Sequence, residues 1–297
     1  MNSVRNLLAQ HDIRPRKRLG QSFLEDMNIT RRIASLAEPS QEDTIVEIGA
    51  GLGFLTEELA LKAGKVIALE IDPRLLDVLR RRFAGNPGVE IVGEDVLRYD
   101  FSSVSPGRRI KIVGNVPYHI STPILFHLLD FRGSIRCMIL MFQKELAERI
   151  AASPGTKDYG IPSVLIARVA SVVRELTVPS ACFFPQPSVD SSVIRIVMKD
   201  DPEMRPEDGH FTRVVRSAFA SRRKTLRNNL RAAGFPEETL ERVFQETGID
   251  AGRRAETLCV EEFARLSGGL AGAVCTGPPA AEKPEKSVKS IDIPQEI

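Results

Sequence analysis

Four consecutive residues, Asn115-Val116-Pro117-Tyr118, combine groups suited to a reaction at an exocyclic amine. The lone pair of such an amine is delocalised into its ring, so a site that methylates it needs acceptors aimed at the amino hydrogens. The Asn115 side-chain oxygen and the Val116 carbonyl are strong acceptors, Pro117 stiffens the turn, and Tyr118 offers a face on which a base can stack. The pattern predicts methyl transfer to a base amine such as adenine N6. Taken alone, it is equally compatible with a strand-ending turn that half-buries a tyrosine.

Upstream of this tetrapeptide, the sequence predicts a strand, a glycine turn and a helix in succession. Residues 45–48 are apolar apart from Glu47, the turn contains Gly49 and Gly51, and residues 54–62 have helical periodicity. Glycines at such a turn allow the backbone to approach a nucleotide closely. The spacing differs from the GxGxxG dinucleotide fingerprint. By itself the turn also leaves NAD binding open.

Acidic residues follow the next two predicted strands. Glu70 comes after residues 65–69, where a carboxylate can accept hydrogen bonds from ribose hydroxyls. Asp95 comes after residues 89–92 and is suited to an adenine amino group. Both acids are expected at the edge of the sheet that carries the glycine turn; the less favoured alternative for Asp95 is a solvated loop residue.

Length and composition are typical of a soluble globular protein with one large and one small domain. The chain has 297 residues, 42% of them hydrophobic, and a formal net charge of +2. Its apolar stretches are far too short for a membrane span and it has no secretory signal, so we expect a cytoplasmic protein without a membrane partner. The four cysteines show neither metal-ligand spacing nor a disulfide framework, and no metal is expected.

The alternation of strand and helix signals predicts an α/β fold, a Rossmann-like doubly wound sheet with a small C-terminal helical domain. Residues 1–20 are predicted to form a basic arm, 21–200 the sheet domain, 201–270 a small helical RNA-binding domain and 271–297 a disordered tail. Further strands are predicted at 110–114, 135–142, 173–178 and 191–198, and further helices at 144–152 and 161–170.

Positive charge is concentrated in two places despite the small net charge. Arg16, Lys17 and Arg18 lie in the arm, and a second cluster lies within residues 211–231. If that segment is one helix, its arginines form a basic stripe opposite an apolar face; alternatively, Ser221 caps a second helix. A further alternative is that these arginines form an ordinary solvated helix face and bind no RNA. The stripe consists of Arg213, Arg216, Arg223, Arg227 and Arg231, with Arg222 and Lys224 beside it.

Ordered motifs along residues 14–268 resemble those of the ribosomal small-subunit RNA adenine dimethyltransferases. The motifs are Arg16 to Leu24 in the arm, Val46 to Gly51, Glu70, Asp95, Gly114 to Tyr118, Met141 to Glu145, Phe183 to Ser191, and Ala218 to Leu230.

This resemblance implies an S-adenosylmethionine-dependent enzyme that dimethylates N6 of two adjacent adenosines near the 3′ end of small-subunit (16S) rRNA, in a hairpin loop of an assembling 30S particle. It implies that Tyr118 and Phe183 sandwich the target adenine. The expected cofactor-binding residues are Gln21, Ser22, Leu24, Glu47, Gly49, Gly51, Glu70, Ile71, Asp95, Val96 and Asn115. The expected catalytic residues are Asn115, Val116, Pro117, Tyr118 and Phe183. The expected RNA-binding residues are Arg16, Lys17, Arg18, Arg222, Arg223, Lys224 and Arg227.

Two other functions share these features. A large-subunit adenine methyltransferase would carry the same catalytic motifs, although residues 222–230 and 185–191 favour the small-subunit interpretation. A ribosome-assembly factor that mainly binds RNA is the alternative from a different class, and the intact Asn115, Glu70 and Asp95 argue against loss of methylation. We expect the protein to act as a monomer.

Overall fold

A seven-stranded sheet forms the centre of the larger part of the structure, a computed structural model that describes residues 3–105, 107–199 and 207–272. The strand order is β4-β3-β2-β5-β6-β9-β7. Residues 201–206, at the start of the predicted helical domain, lie outside the described residues, as does almost all of the predicted tail at 271–297. The strands are β1 (Phe23–Leu24), β2 (Thr44–Ile48), β3 (Lys65–Glu70), β4 (Val89–Gly93), β5 (Ile110–Asn115), β6 (Ile135–Gln143), β7 (Ala170–Val178), β8 (Phe183–Phe184) and β9 (Ser191–Met198).

The chain reverses its direction of travel across the sheet between β2 and β5. Strands β2 to β6 pair in parallel, whereas β9 is antiparallel to both β6 and β7. Successive strands β2, β3 and β4 extend to one side, and β5 then returns to pair with β2 on the other. In open α/β sheets, ligands bind at the carboxyl ends of the strands beside such a reversal. The predicted Rossmann-like class is therefore confirmed, and its crevice lies between the ends of β2 and β5.

Helices flank the sheet, and several begin where the sequence supplies a cap. Asp26 accepts hydrogen bonds from the Asn28 and Ile29 N–H groups, and Asp72 accepts one from Arg74 while Pro73 occupies the first helical position. The helices are α1 (Val4–Gln10), α2 (Met27–Leu36), α3 (Phe54–Ala60), α4 (Pro73–Phe83), α5 (Ser121–Asp130), α6 (Lys144–Ile150), α7 (Ile161–Val169), α8 (Glu207–Ala218), α9 (Leu226–Ala232), α10 (Glu237–Thr247) and α11 (Val260–Gly269). None of the described helices has the length and apolar content to cross a bilayer.

The segment predicted as a basic arm contains a short amphipathic helix. Val4, Leu7 and Leu8 of α1, together with Ile13, are buried in a hydrophobic cluster that includes Leu52. A two-stranded ribbon follows, in which β1 pairs antiparallel with β8. The sequence did not predict this ribbon, because strands of two residues carry no periodic signal and β8 lies in a proline-rich loop.

The described chain divides into two compact units. Among the described residues, one unit contains those up to 153 together with 165–199, and the other contains 154–164 together with 207–272. This division differs from the predicted one, since residues 154–164 belong with the helical unit and α1 belongs with the sheet unit.

Of the two alternatives for residues 211–231, one continuous helix is wrong. Helix α8 ends at Ala218, and α9 begins at Leu226 after a turn. The alternative of two helices is correct, but the N-cap is Thr225, whose side chain accepts from the Asn228 N–H group, and not Ser221. Ser, Thr and Asn near a helix start are all potential caps, so the sequence alone could not choose between them.

One buried ion pair ties the sheet to the loop after α2. The Lys111 ammonium on β5 donates to the Ala37 carbonyl (3.0 Å), the Glu38 carbonyl (2.8 Å) and the Asp43 carboxylate (2.9 Å). All three of its donors are therefore used, as burial of an ammonium requires. Burial raises the pKa of Asp43, but the hydrogen bonds from Lys111 and Ser40 outweigh it and hold that pKa below its ordinary value.

Lys111→Met is expected to reduce the free energy of unfolding by about 2 to 4 kcal/mol, because it leaves the largely buried Asp43 carboxylate without its cation and two carbonyls without their donor. Urea unfolding at neutral pH measures this loss. The matched control is Lys65→Met, which breaks the exposed 2.7 Å pair with Glu90 on the neighbouring strands and should change stability by less than about 1 kcal/mol. Equal losses in the two variants would contradict the structural role assigned to Lys111.

Candidate active site

A cavity of about 160 Å³ opens at the carboxyl ends of the parallel strands in the sheet unit. Its walls come from the arm, the glycine turn after β2, the ends of β3 and β5, and the loop after β4. All eleven residues predicted to bind the cofactor line it, as do four of the five predicted catalytic residues. The sequence motifs therefore converge on one site, although they are spread over about a hundred residues of chain.

The glycine turn is shaped by its backbone conformation and by its neighbours. Gly49 and Gly51 have φ values of 71° and 60°, a region that side-chain-bearing residues rarely adopt. A Cβ atom on Gly51 would lie 3.2 Å from the Phe23 ring, so the arm closes tightly over the turn. The turn thus brings main-chain atoms, with no side chain intervening, to the cavity wall.

Glu70 organises the floor of the cavity. Its carboxylate is 7% exposed and accepts hydrogen bonds from the N–H groups of Gly51, Ile71 and Asp72, each at 2.9 Å. Burial raises the pKa of Glu70 above its ordinary value, while these backbone donors act in the opposite direction. Because two carboxylate oxygens offer about four acceptor positions, Glu70 retains capacity for a ligand hydroxyl while it holds the glycine turn in place.

Glu47 is a second buried acid in the cavity lining. It lies on β2 and is 1% exposed, and the Thr56 hydroxyl donates to it at 2.6 Å. Burial raises the pKa of Glu47 to about 8. Most of its population is therefore protonated at neutral pH.

Asp95 and its neighbours close the cavity beside β4. One Asp95 carboxylate oxygen accepts from the Leu97 N–H group at 3.0 Å, which fixes the loop. The side chains of Ile71 and Val96 supply apolar surface to the same wall, and Ile71 is 45% exposed. An acidic acceptor between apolar side chains is suited to a purine ring with an amino group.

The arm is fastened across the cavity by polar contacts. Gln21 donates to the buried Asp72 carboxylate at 2.9 Å and accepts from the Arg16 N–H group at 2.7 Å. Arg74 also donates to Asp72, at 2.6 Å, and to the Arg14 carbonyl. Burial opposes ionisation of Asp72, but these donors lower its pKa to about 2. A permanently charged Asp72 thus anchors the segment that carries Gln21.

Asn115 ends β5 with its amide in a defined orientation. Its Nδ2 group donates to the Ser22 carbonyl at 3.0 Å. This contact turns the Asn115 side-chain oxygen away from Ser22, and none of the described residues donates to that oxygen, so it is available as an acceptor. Val116 places its side chain in the core, 1% exposed, so its main chain is the part available to the cavity. The two acceptors that the sequence predicted are adjacent at the cavity.

Tyr118 and Phe183 differ in their environments. Tyr118 lines the cavity, and its phenol oxygen lies 2.5 Å from the Ser191 hydroxyl. Phe183 is 2% exposed, belongs to the hydrophobic core and is absent from the cavity lining. The structure therefore does not bring these two rings together at the cavity. A stack on both sides of one base requires Phe183 to leave its core position.

The predicted RNA-binding residues of the arm also divide. Arg16 is partly buried and lies 3.9 Å from Asp72, so its charge is partly compensated within the chain. Lys17 and Arg18 are exposed in a short 3₁₀ turn that ends at Gly20. A Cβ atom on Gly20 would lie 2.9 Å from the His119 ring, so this turn sits against the loop that carries Tyr118.

In the helical unit, the predicted basic stripe is only partly available. Arg227 is paired with Glu237 and, at 2.6 Å, with Glu241. The guanidinium of Arg222 donates to the Lys157 carbonyl, and Lys224 lies in a shallow cleft. The negative partners of Arg227 lie ten and fourteen residues further along the chain, on α10, and a helical projection of residues 211–231 could not reveal them.

Three supporting residues were missed by the sequence analysis. Asp72 anchors the arm, Thr56 binds Glu47, and Ser191 contacts Tyr118. Asp72 had a local signal, because Asp before Pro at a helix start is a capping pattern. Ser191 ends one of the quoted motifs, but its partner is 73 residues away in sequence. Over the described residues, no cluster of three or more His, Cys, Asp or Glu side chains could hold a metal ion.

The fold and the site together define a class of protein. A Rossmann-like sheet with an acidic cavity at its topological reversal, and an Asn-Val-Pro-Tyr loop at the mouth of that cavity, is the arrangement of a methyltransferase acting on a base amine. Comparison with known proteins identifies the group. Residues 13–271 match the ribosomal RNA adenine dimethylase family, and the chain belongs to that family. The predicted family and enzyme class are thus confirmed.

Individual relatives agree with this assignment. The chain is 44% identical to the ribosomal RNA small subunit methyltransferase A of Syntrophus aciditrophicus (strain SB), over 91% of this chain and 99% of that one. It is also 44% identical to the protein of the same name from Bacillus mycoides (strain KBAB4), over 91% and 96%. Among solved structures, a dimethyladenosine transferase from Plasmodium falciparum matches with a TM-score of 0.73 at 27% identity, covering 82% of this chain and 95% of that one. The 23S rRNA methyltransferase ErmE matches with a TM-score of 0.67 at 28% identity, covering 84% and 99%.

The protonation of Glu47 predicts a pH dependence of stability. Its pKa is about 8 in the folded chain and near its ordinary value of 4.5 when unfolded. As pH rises through this window the unfolded state releases the proton first, so folded wild type loses up to about 1.4 kcal/mol of stability per pH unit. Glu47→Gln removes this loss. Urea unfolding at pH 5, 6, 7 and 8 should therefore show a stability difference between Glu47→Gln and wild type that shifts steadily in favour of the variant.

The matched control for this series is Glu90→Gln, the same substitution at a half-exposed site on the sheet edge. Its stability should follow the wild-type pH profile. Parallel profiles for Glu47→Gln and wild type would show that Glu47 is ionised in the folded chain.

Proposed function

We propose that this protein uses S-adenosylmethionine to dimethylate N6 of two adjacent adenosines in the 3′-terminal hairpin loop of small-subunit (16S) ribosomal RNA during small-subunit biogenesis. The observation that carries the proposal is the orientation of Asn115, whose amide nitrogen is bound to the Ser22 carbonyl so that its oxygen is free to accept. When both hydrogens of an amine donate to this oxygen and to the Val116 carbonyl, its lone pair is less delocalised into the ring and more available to attack a methyl group. Family membership and the two relatives at 44% identity support the substrate.

The residues of the cavity fit S-adenosylmethionine. Glu70 supplies an acceptor for ribose hydroxyls, Asp95 an acceptor for the adenine amino group, and the Gly49–Gly51 turn gives the close approach that a Cβ atom would prevent. When bound, the cofactor would supply a methyl group from its sulfonium, which leaves as a neutral thioether, and the methylated amine would be acidic enough to release its proton to water. No step of the proposed mechanism therefore requires a strong base on the protein.

The chain contributes position more than acid–base chemistry. Asn115 and Val116 orient the amine for in-line attack, which is how positioning lowers a barrier. Tyr118 supplies a stacking face, and its pKa is raised by burial, so its phenol stays protonated at neutral pH. An adenine within a helical stack cannot reach this cavity, so the base must be flipped or presented by a loop.

A large-subunit methyltransferase remains the nearest alternative. It is favoured by the similarity to ErmE, whose fold covers most of this chain. The small-subunit proposal is preferred because the relatives that bear that name share 44% identity, against 28% for ErmE. A role in which RNA binding during assembly matters beside methylation is compatible with the same site.

We further propose that the protein acts as a monomer on an assembling 30S particle in the cytoplasm. The monomer is supported by the completeness of the site, since one chain supplies all eleven predicted cofactor-binding residues together with Asn115 to Tyr118. The basis for the particle is the name of the relatives and the exposed Lys17 and Arg18 beside the catalytic loop.

A transfer assay with radiolabelled donor tests the whole proposal: label should enter the 3′ region of 16S rRNA in immature 30S particles and stay out of 23S rRNA. Labelling of 23S rRNA alone would favour the alternative.

Glu70→Gln is expected to weaken S-adenosylmethionine binding by about 1.5 to 3 kcal/mol, because an amide cannot accept from all the donors that the carboxylate accepts. Isothermal titration calorimetry measures the change, with Glu90→Gln as the control that keeps wild-type affinity. Since Glu70 also holds the glycine turn, a thermal melt accompanies the titration. Unchanged donor affinity in a folded variant, or tight NAD binding by wild type, would refute the cofactor assignment.

Asn115→Ala is expected to lower the single-turnover methylation rate about 100-fold, since the amine loses its alignment, while RNA affinity stays near the wild-type value. Quench-flow with radiolabelled donor and filter binding of the same RNA measure the two quantities. Asn28→Ala, at an exposed position on α2, is the matched control. A proportional fall in rate and affinity would make Asn115 a docking residue.

A further inference from the structure

The phenol of Tyr118 has one polar partner that the proposed mechanism does not yet use. Its oxygen lies 2.5 Å from the Ser191 hydroxyl, a distance typical of a strong O–H···O hydrogen bond. Tyr118 belongs to the short 3₁₀ turn Tyr118–Ile120, and this turn is held mainly by its own backbone. A ring on such a turn keeps its orientation only if something rigid holds its far end.

Ser191 is such a rigid point. It is fully buried and begins β9, where it pairs with Gln143 of β6 on one side and with Val178 of β7 on the other. The preceding residue, Asp190, is also fixed: its carbonyl accepts from the Lys144 N–H group at 3.0 Å. The Ser191 hydroxyl therefore occupies a position set by three strands.

The Tyr118–Ser191 contact joins the loop after β5 to the start of β9. The Tyr118 ring lines the cavity with its apolar surface, while its oxygen end points to the sheet. A hydrogen bond at the oxygen leaves the ring face free for a base. The hydrogen bond also restricts rotation of the Tyr118 side chain before the base binds. Binding then costs less conformational entropy, because the ring is already ordered.

We propose that Ser191 is a positioning residue for base capture: it fixes the Tyr118 ring at the angle that the target adenine needs for stacking, and it does so without touching RNA or methyl donor. The proposal rests on the proposed function, because it assumes that an adenine enters beside Tyr118. It assigns to the hydroxyl of Ser191 a role in the reaction with RNA and none in donor binding.

A double-mutant cycle tests this coupling. Ser191→Ala and Tyr118→Phe each remove the same hydrogen bond, and each is expected to lower kcat/KM for RNA about 3- to 10-fold. The double variant should be no slower than the slower single variant, because the bond can be lost only once. Donor affinity by calorimetry should stay at the wild-type value in all three. Effects that multiply in the double variant, or a wild-type kcat/KM in Ser191→Ala, would overturn the proposal.

Ser192→Ala is the matched control. Ser192 is the next residue on β9 and equally buried, but its hydroxyl donates to the Leu176 carbonyl at 3.0 Å and does not contact Tyr118. It should leave kcat/KM for RNA unchanged apart from any loss of folded protein. If Ser191→Ala does not fold, Tyr118→Phe decides alone: a fall in kcat/KM with normal donor affinity supports the proposal, and an unchanged kcat/KM overturns it.

A binding measurement separates this inference from the proposed function. RNA hairpins with 2-aminopurine in place of the target adenosine should show quenched fluorescence on wild type, because the base stacks on Tyr118. Quenching should weaken in Ser191→Ala and persist in Ser192→Ala. This assay needs no methylation. If wild type quenches the fluorescence but does not methylate 16S rRNA, the proposed function is refuted while the positioning role of Ser191 still stands. Equal quenching in wild type and Ser191→Ala would overturn the positioning role alone.

Discussion

The site depends on how closely β2 and β5 approach each other at the reversal of the sheet. Ile48 pairs with Gly114, and a Cβ atom on Gly114 would lie 2.9 Å from the Ile48 carbonyl oxygen. Because that oxygen belongs to the backbone of a central strand, it has no room to retreat. This register sets the glycine turn, which follows Ile48, directly beside Asn115, which follows Gly114. A donor and an acceptor amine can meet only because these two strand ends lie side by side.

Sequence patterns predicted the central architecture well, for a physical reason. Buried parallel strands such as residues 45–48 and 110–114 are nearly continuous apolar runs, and the ligand edge of such a sheet is fixed by topology. The acids at 70 and 95 could therefore be assigned to one edge of the sheet from the sequence alone. The sequence did not predict features that lack a periodic pattern of residues. The two-residue ribbon around Phe183, the break before Thr225 and the pairing of Arg227 with α10 all depend on contacts between distant parts of the chain.

Buried polar groups do much of the organising in this sheet unit. Lys111, Asp72 and Glu70 are each largely buried and each has its partners. An unpaired group at any of these positions would be costly, so each fixes the loops that satisfy it. Glu47 differs, because only the Thr56 hydroxyl donates to its carboxyl group and burial raises its pKa to about 8. It avoids the cost of a buried charge by remaining protonated at neutral pH. Two buried acids of the sheet unit, Asp72 and Glu47, are thus in opposite protonation states at neutral pH.

The fastening of the arm has a thermodynamic consequence. The segment from Lys17 to Leu24 carries exposed cations at one end, while its other end forms the cavity wall, clamped through Gln21 to Asp72. A ligand in the cavity and an RNA strand held at Lys17 and Arg18 would both restrict this one segment. Whichever binds first lowers the ordering entropy that the second must lose, so the two affinities become linked, and linkage is reciprocal.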